Sequence, residues 1–285
     1  MSKLSLPPGS ALRSAFFAAI FAPVALILMG MSLADLQARA AIGVPLASVE
    51  GMIGMAFSAI ILGMISINCE RHSIGMFVAA AWALIIGFLQ TFGYFRIHFL
   101  VAANLSADDM SAAQRWNLYP VCVAAILLGS GVALALTHRA RAKNPEAEEL
   151  MPFERHQSER IAVAVASLPL GIGALALLIR CAPADSLPMA ARGLSGVVAQ
   201  TPLQPILSAA VAEVLGLIAL ASRWSMIGPQ VIAWTYIIPG FLLIPLGTTL
   251  TGVVVTPGPS LGTQILMSAS TIAAYGMILA ASTLG

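Results

Sequence analysis

Polar and charged positions in this chain fall into clusters, and between the clusters run eight apolar stretches, at roughly 12–33, 50–68, 74–97, 117–138, 161–180, 204–222, 229–251 and 262–283. About 20 apolar residues in a helix cross the ~30 Å hydrocarbon layer of a bilayer. The pattern therefore predicts eight transmembrane helices, an all-α integral membrane protein with little chain left for a soluble domain. Composition agrees, since 9% of residues are charged where an ordinary soluble domain has about 25%.

The apolar stretches are not all different. Residues 71–89 read RHSIGMFVAAAWALIIGFL, and residues 223–242 read RWSMIGPQVIAWTYIIPGFL. Each copy opens on Arg-x-Ser, places a Trp eleven positions after the Arg, and continues with AW, two variable residues, II and GFL, with Pro239 inserted in the second copy. The loops 34–49 and 184–203 each begin with Ala-Asp and carry one central Arg. Shared offsets near 150 residues predict two tandem four-helix repeats, 1–138 and 161–285. An even number of spans per unit makes the repeats parallel, with a pseudo-two-fold axis along the membrane normal. The charged segment 139–160, with five basic and five acidic residues, is expected to link them. Asn144-Pro145-Glu146 is a helix start, with an N-cap, a proline at the first position and an acid at the positive helix end. Pro152 would end that helix after two turns. Ser106 with Asp109 predicts a second short surface helix in the loop 98–116.

Net charge is only +2, which excludes nucleic acid as a natural partner. Placement says more. With the N-terminus cytoplasmic, the inner segments hold Lys3, Arg13, Arg71, Arg139, Arg141, Lys143, Arg155, Arg160 and Arg223, nine of the fourteen cations. That bias predicts both termini inside a cell membrane, with the bilayer as the first partner. The first apolar run is longer than the core of a secretory signal, so it is expected to remain as a helix.

Glu213, in SAAVAEVLGLIAL, is a carboxylate in the middle of a span and hence a site candidate. Pro239-Gly240 and Pro245 with Gly247 interrupt the seventh span, and proline frees a backbone carbonyl one turn back. Thr248, Thr249 and Thr251 follow the interruption, while Gln90, Thr91 and Tyr94 stand at similar depth on the third span. Together these residues are the expected lining of a cavity, because interrupted helices mark transport sites. Arg71 and Arg223, with Glu70 beside the first, are read as lipid-phosphate anchors or as paired cations at an inner vestibule for an anion. Ala59 with Gly63 and Ala125 with Gly129 predict close helix approach.

Absences narrow the chemistry. His72, His98, His138 and His156 all lie at helix ends or in loops, which leaves no pair to clamp a haem within the bilayer. No phosphate loop, HExxH or GxSxG motif is present, and no metal or cofactor is expected. Three cysteines make no disulfide framework, and the depths of Cys122 and Cys181 differ by about a turn, so free thiols are expected. The leading expectation is a transporter or permease moving a small or amphipathic solute between two halves. The alternative is a non-catalytic anchor or assembly subunit, quinone- or lipid-facing, docking a protein partner through 139–160 or the outer loops. An intramembrane enzyme is the weakest reading, with one embedded carboxylate and no embedded His.

Overall fold

The computed structural model describes residues 11–41, 48–69, 72–91, 116–143, 157–185, 204–251 and 259–284. Every regular element among them is helical: α1 (Ala11–Ala41), α2 (Val49–Asn68), α3 (Ile74–Thr91), α4 (Tyr119–Lys143), α5 (Gln157–Cys181), α6 (Pro205–Leu220), a 3-10 turn (Ala221–Arg223), α7 (Ile227–Thr251) and α8 (Leu261–Ser282). Seven are long and apolar enough to cross a membrane, and α3 contributes a shorter apolar stretch, Ile74–Leu89. The chain is thus an all-helical, multi-pass, membrane-embedded protein. The expected surface helices near 106 and 145 lie outside the described residues, as do Glu70, Arg71 and Tyr94.

Local chemistry sets several helix ends. The Ser48 side chain caps α2 by accepting from the Gly51 N–H at 3.1 Å, and Ser260 caps α8 by accepting from the Thr263 N–H at 3.1 Å. Pro205 starts α6 at a position where a helix needs no N–H donor. One boundary departs from expectation: α1 runs on to Ala41, so Asp35, Gln37 and Arg39 are helical rather than in an outer loop. Asp35 accepts a hydrogen bond from the Ser48 hydroxyl and lies 3.9 Å from Arg39 one turn on. Gln37 is bonded to α8. These partners satisfy polar groups whose presence had suggested a loop, whereas α5 stops at Cys181 and leaves Asp185 outside a helix.

Among the described helices, α1 lies against α2 and α3, and α3 against α4, while α5 lies against α6 and α7, and α7 against α8. In addition α4 runs along α6, α1 and α2 run against α8, and α4 meets α8. Specific contacts recur with the same helices exchanged. Gly87 of α3 backs onto Pro120 of α4, and Gly240 of α7 onto Ala273 of α8. Gly75 backs onto Ser14, and Gly228 onto Ser167. The α4–α6 crossing is the tightest: a side chain at Gly129 would strike the Gly216 carbonyl, with Ala125 and Ala219 completing the contact. The corresponding α2–α8 contact sets Gly63 against Ala281. Small residues permit backbone approach of this kind.

α8 is the hub, with 16 of its 22 residues buried. On α6, by contrast, six of 16 are buried, and Ile206, Ala209, Glu213 and Leu217 form an outward stripe. Cys69, Cys122 and Cys181 are free and buried, the latter two separated by Ser208, whose hydroxyl is 3.7 Å from Cys181 Sγ and whose carbonyl is 3.8 Å from Cys122 Sγ.

Candidate functional site

Buried polar groups in a membrane protein are costly unless bonded, and one bonded series of them lies along the seam where α4 and α8 meet. At one end of the seam, Asn117 is 1% exposed. Its carbonyl side-chain oxygen accepts from the Tyr119 N–H at 2.9 Å, which starts α4. Its amide donates to Thr271 Oγ1 at 3.1 Å. Gln37 Nε2 donates to the same hydroxyl at 2.9 Å, and Gln37 Oε1 is buried without a partner among the described residues. Leu118, between Asn117 and Tyr119, has φ 47°, a left-handed conformation that costs a non-glycine residue on the order of 1 kcal/mol.

One level along the seam, the Tyr119 and Tyr275 rings stack with centroids 6.5 Å apart and planes 2° from parallel. The Tyr275 hydroxyl donates to the Asn117 carbonyl at 3.3 Å, and that of Tyr119 to the Leu26 carbonyl at 3.4 Å. Farther along, Ser130 Oγ of α4 and Ser282 Oγ of α8 are 3.0 Å apart. Beyond this pair the seam opens into a cavity of about 210 Å³ lined by Ser130, Thr137, His138, Ser222, Arg223, Ser282 and Thr283 together with three apolar side chains. Ser130, Ser282 and Thr283 are buried and form its floor, while Arg223 is exposed at its rim. The Arg223 guanidinium lies 5.3 Å from the Trp224 ring, in a cation–π contact. His138 also borders a second recess of about 550 Å³, on the other side of α4, with His72 and Arg139.

The residues singled out from sequence distribute differently. Arg223 lines the cavity, but Glu213 does not face it: the carboxylate lies on the outward stripe of α6, ninth of the helix's sixteen residues. Helical phase explains this, because the buried face of α6 is Ser208, Val211, Ala212, Leu215, Ile218 and Ala219. Pro239 is exposed on the outer face of α7, and the helix passes through Pro239 and Pro245 without a break. Gly240 is pressed against Ala273 there, and a Cβ at that glycine would be 2.6 Å from the Ala273 nitrogen. The expected clustering of Glu213 with the Pro239 interruption is therefore replaced by two outward-facing features. The helical backbone at Gln90, Thr91, Thr248 and Thr249 is described, but their side chains are not.

Sequence reasoning missed Asn117, Thr271, Ser130 and Ser282. A signal for Asn117 was present in WNLYP, where Asn and Pro flank a helix start. Single hydroxyls in apolar helices carry no comparable signal. No group of His, Cys, Asp and Glu that could hold a metal occurs among the described residues. No family model, curated protein or solved structure matches the chain.

Proposed function

We propose that this chain is a permease-like membrane protein built from two parallel four-helix repeats, which passes a small solute along the α4–α8 seam. The observation that carries the reading is the polar cavity at the Ser130–Ser282 pair. These two residues are 152 apart in the sequence, one residue short of the 153 that relates Pro120 of α4 to Ala273 of α8. Near-equivalent residues meet close to a two-fold axis, so their contact supports an axis running near the α4–α8 crossing. The recurring contacts Gly87–Pro120 with Gly240–Ala273, and Gly75–Ser14 with Gly228–Ser167, support the same relation at a spacing of 153. Repeat interfaces are where transporters of this kind place their sites.

In this reading the Arg223 end is open and cytoplasmic, as the distribution of cations favours, and the membrane is the plasma membrane. The other end is closed by the tyrosine stack and by the Gln37–Thr271–Asn117 bonds. Transport requires those bonds to break while the Arg223 end shuts. Thr137→Cys is then labelled by a membrane-impermeant thiosulfonate from the cytoplasmic face, and Asn117→Cys from the opposite face in a minor, exchanging state. Asn117→Cys unreactive from both faces, with Thr137→Cys reactive, would reduce the protein to a one-sided receptor.

A second reading, a subunit that assembles with another membrane protein, is favoured by Glu213. An outward carboxylate at mid-span costs on the order of 3 kcal/mol when charged and facing lipid, a cost that a donor on a neighbouring helix would offset. Stoichiometric co-purification of a partner in mild detergent, lost in Glu213→Leu, is the outcome this second reading requires.

A further inference from the structure

The cavity at the Arg223 end has a polarity that specifies more than a small solute. Its four floor and wall hydroxyls have their protons committed inside the protein. Thr137 donates to the Ala133 carbonyl at 2.9 Å, Ser282 to the Leu279 carbonyl at 3.2 Å, and Thr283 to the Leu279 carbonyl at 2.9 Å. Ser130 is left to donate to Ser282 Oγ. A carbonyl can only accept, so these directions follow from the partners. The buried half of the cavity therefore presents hydroxyl lone pairs. Thr283 shows the preference already, accepting from Gln230 Nε2 at 2.8 Å. The rim is opposite in character: Arg223 offers a fixed fork of N–H donors and a permanent charge, with His138 and Ser222 beside it. None of the described residues that line the cavity is acidic.

We infer that this cavity binds a small zwitterion, with its oxyanion on Arg223 and His138 and its ammonium N–H groups on the hydroxyl oxygens of Ser130, Thr137 and Ser282. Size restricts the class, because about 210 Å³ is below the ~300–1,000 Å³ of ordinary drug-sized pockets. The chemistry is shared by free amino acids or aminoalkyl phosphates and by the headgroup of an ethanolamine phospholipid. The inference rests on the cavity of the proposed permease and not on movement of solute through it.

The test is equilibrium binding of radiolabelled glycine and O-phosphoethanolamine to the full-length protein in phosphatidylcholine nanodiscs. Saturable binding of either is expected, weakened at least tenfold in Arg223→Gln, with betaine, phosphocholine and ethyl phosphate competing poorly because each lacks N–H donors. If neither soluble probe binds, native mass spectrometry after reconstitution with mixed lipids decides the source. Retention of phosphatidylethanolamine over phosphatidylcholine, lost in Arg223→Gln, assigns the site to a lipid headgroup. Absence of both signals, or equal competition by betaine, overturns the inference. Zwitterion binding alongside an unreactive Asn117→Cys would keep the site and discard transport.

Discussion

Single residues in this protein are constrained by what they bond rather than by their hydrophobicity. Thr271 is fully buried and accepts from two amides, so Thr271→Val, nearly isosteric, strands both donors. Each unsatisfied buried donor costs about 1–3 kcal/mol, and a clear fall in the thermal unfolding temperature in detergent is expected, where Thr235→Val on the exposed face of α7 changes little. Cys69 is a second case. It sits at the end of α2 beneath the turn into α3, and burial pushes its thiol up to about 11, only partly opposed by backbone hydrogen bonds at Met76 and Gly75. A raised thiol value means the neutral form persists through physiological pH and reactive thiolate accumulates only as pH nears 11. Cys69 is expected to resist maleimide at pH 7.5 in the folded protein and to react fully once the protein is denatured.

Helices and their crossings show what the sequence could and could not reveal. Apolar run length located all eight helices to within a few residues at most ends, because crossing a bilayer imposes a length that composition records directly. The close approach at Ala125 and Gly129 was also legible, since small residues at helical spacing have few other uses in a membrane. Rotational phase was not legible: α6 carries only Ser208 and Glu213 as polar side chains, on different faces, so nothing in its pattern said which side would turn inward. The same ambiguity hid Ser130 and Ser282, two hydroxyls whose significance comes only from the distant helix each faces. Gly129→Ala places a methyl on the Gly216 carbonyl and should destabilise the fold sharply. Gly173→Ala on α5 meets nothing within 4 Å and should be neutral or stabilising, by up to the ~1 kcal/mol difference in helix propensity. Thermal melts of the two variants side by side check the α4–α6 crossing against a control of identical chemistry. Glu213→Gln alters only an outward-facing carboxyl group, and labelling of Thr137→Cys is expected to be unchanged by it.

For the whole molecule, the proposed permease rests on three observations: a sequence motif that occurs twice, contacts that recur at a spacing of 153 residues, and polar groups where α4 meets α8. In that proposal each half supplies its fourth helix to the seam, α4 from the first and α8 from the second, and the differences between the two helices give the seam its ends. Asn117 and the tyrosine pair close one end, while Arg223 and His138 flank the other. A solute crossing the protein by this route has to pass between Ser130 and Ser282. The most direct measurement is therefore made on the Ser130→Cys/Ser282→Cys/Asn117→Cys triple variant in oriented vesicles, with impermeant labelling of Asn117→Cys followed before and after oxidation of the 130–282 pair. The account predicts that the bridge forms readily, suppresses labelling at Asn117→Cys, and releases it on reduction. A bridge that forms without changing that labelling, or a pair that never bridges, would contradict a moving seam on the axis between the two halves.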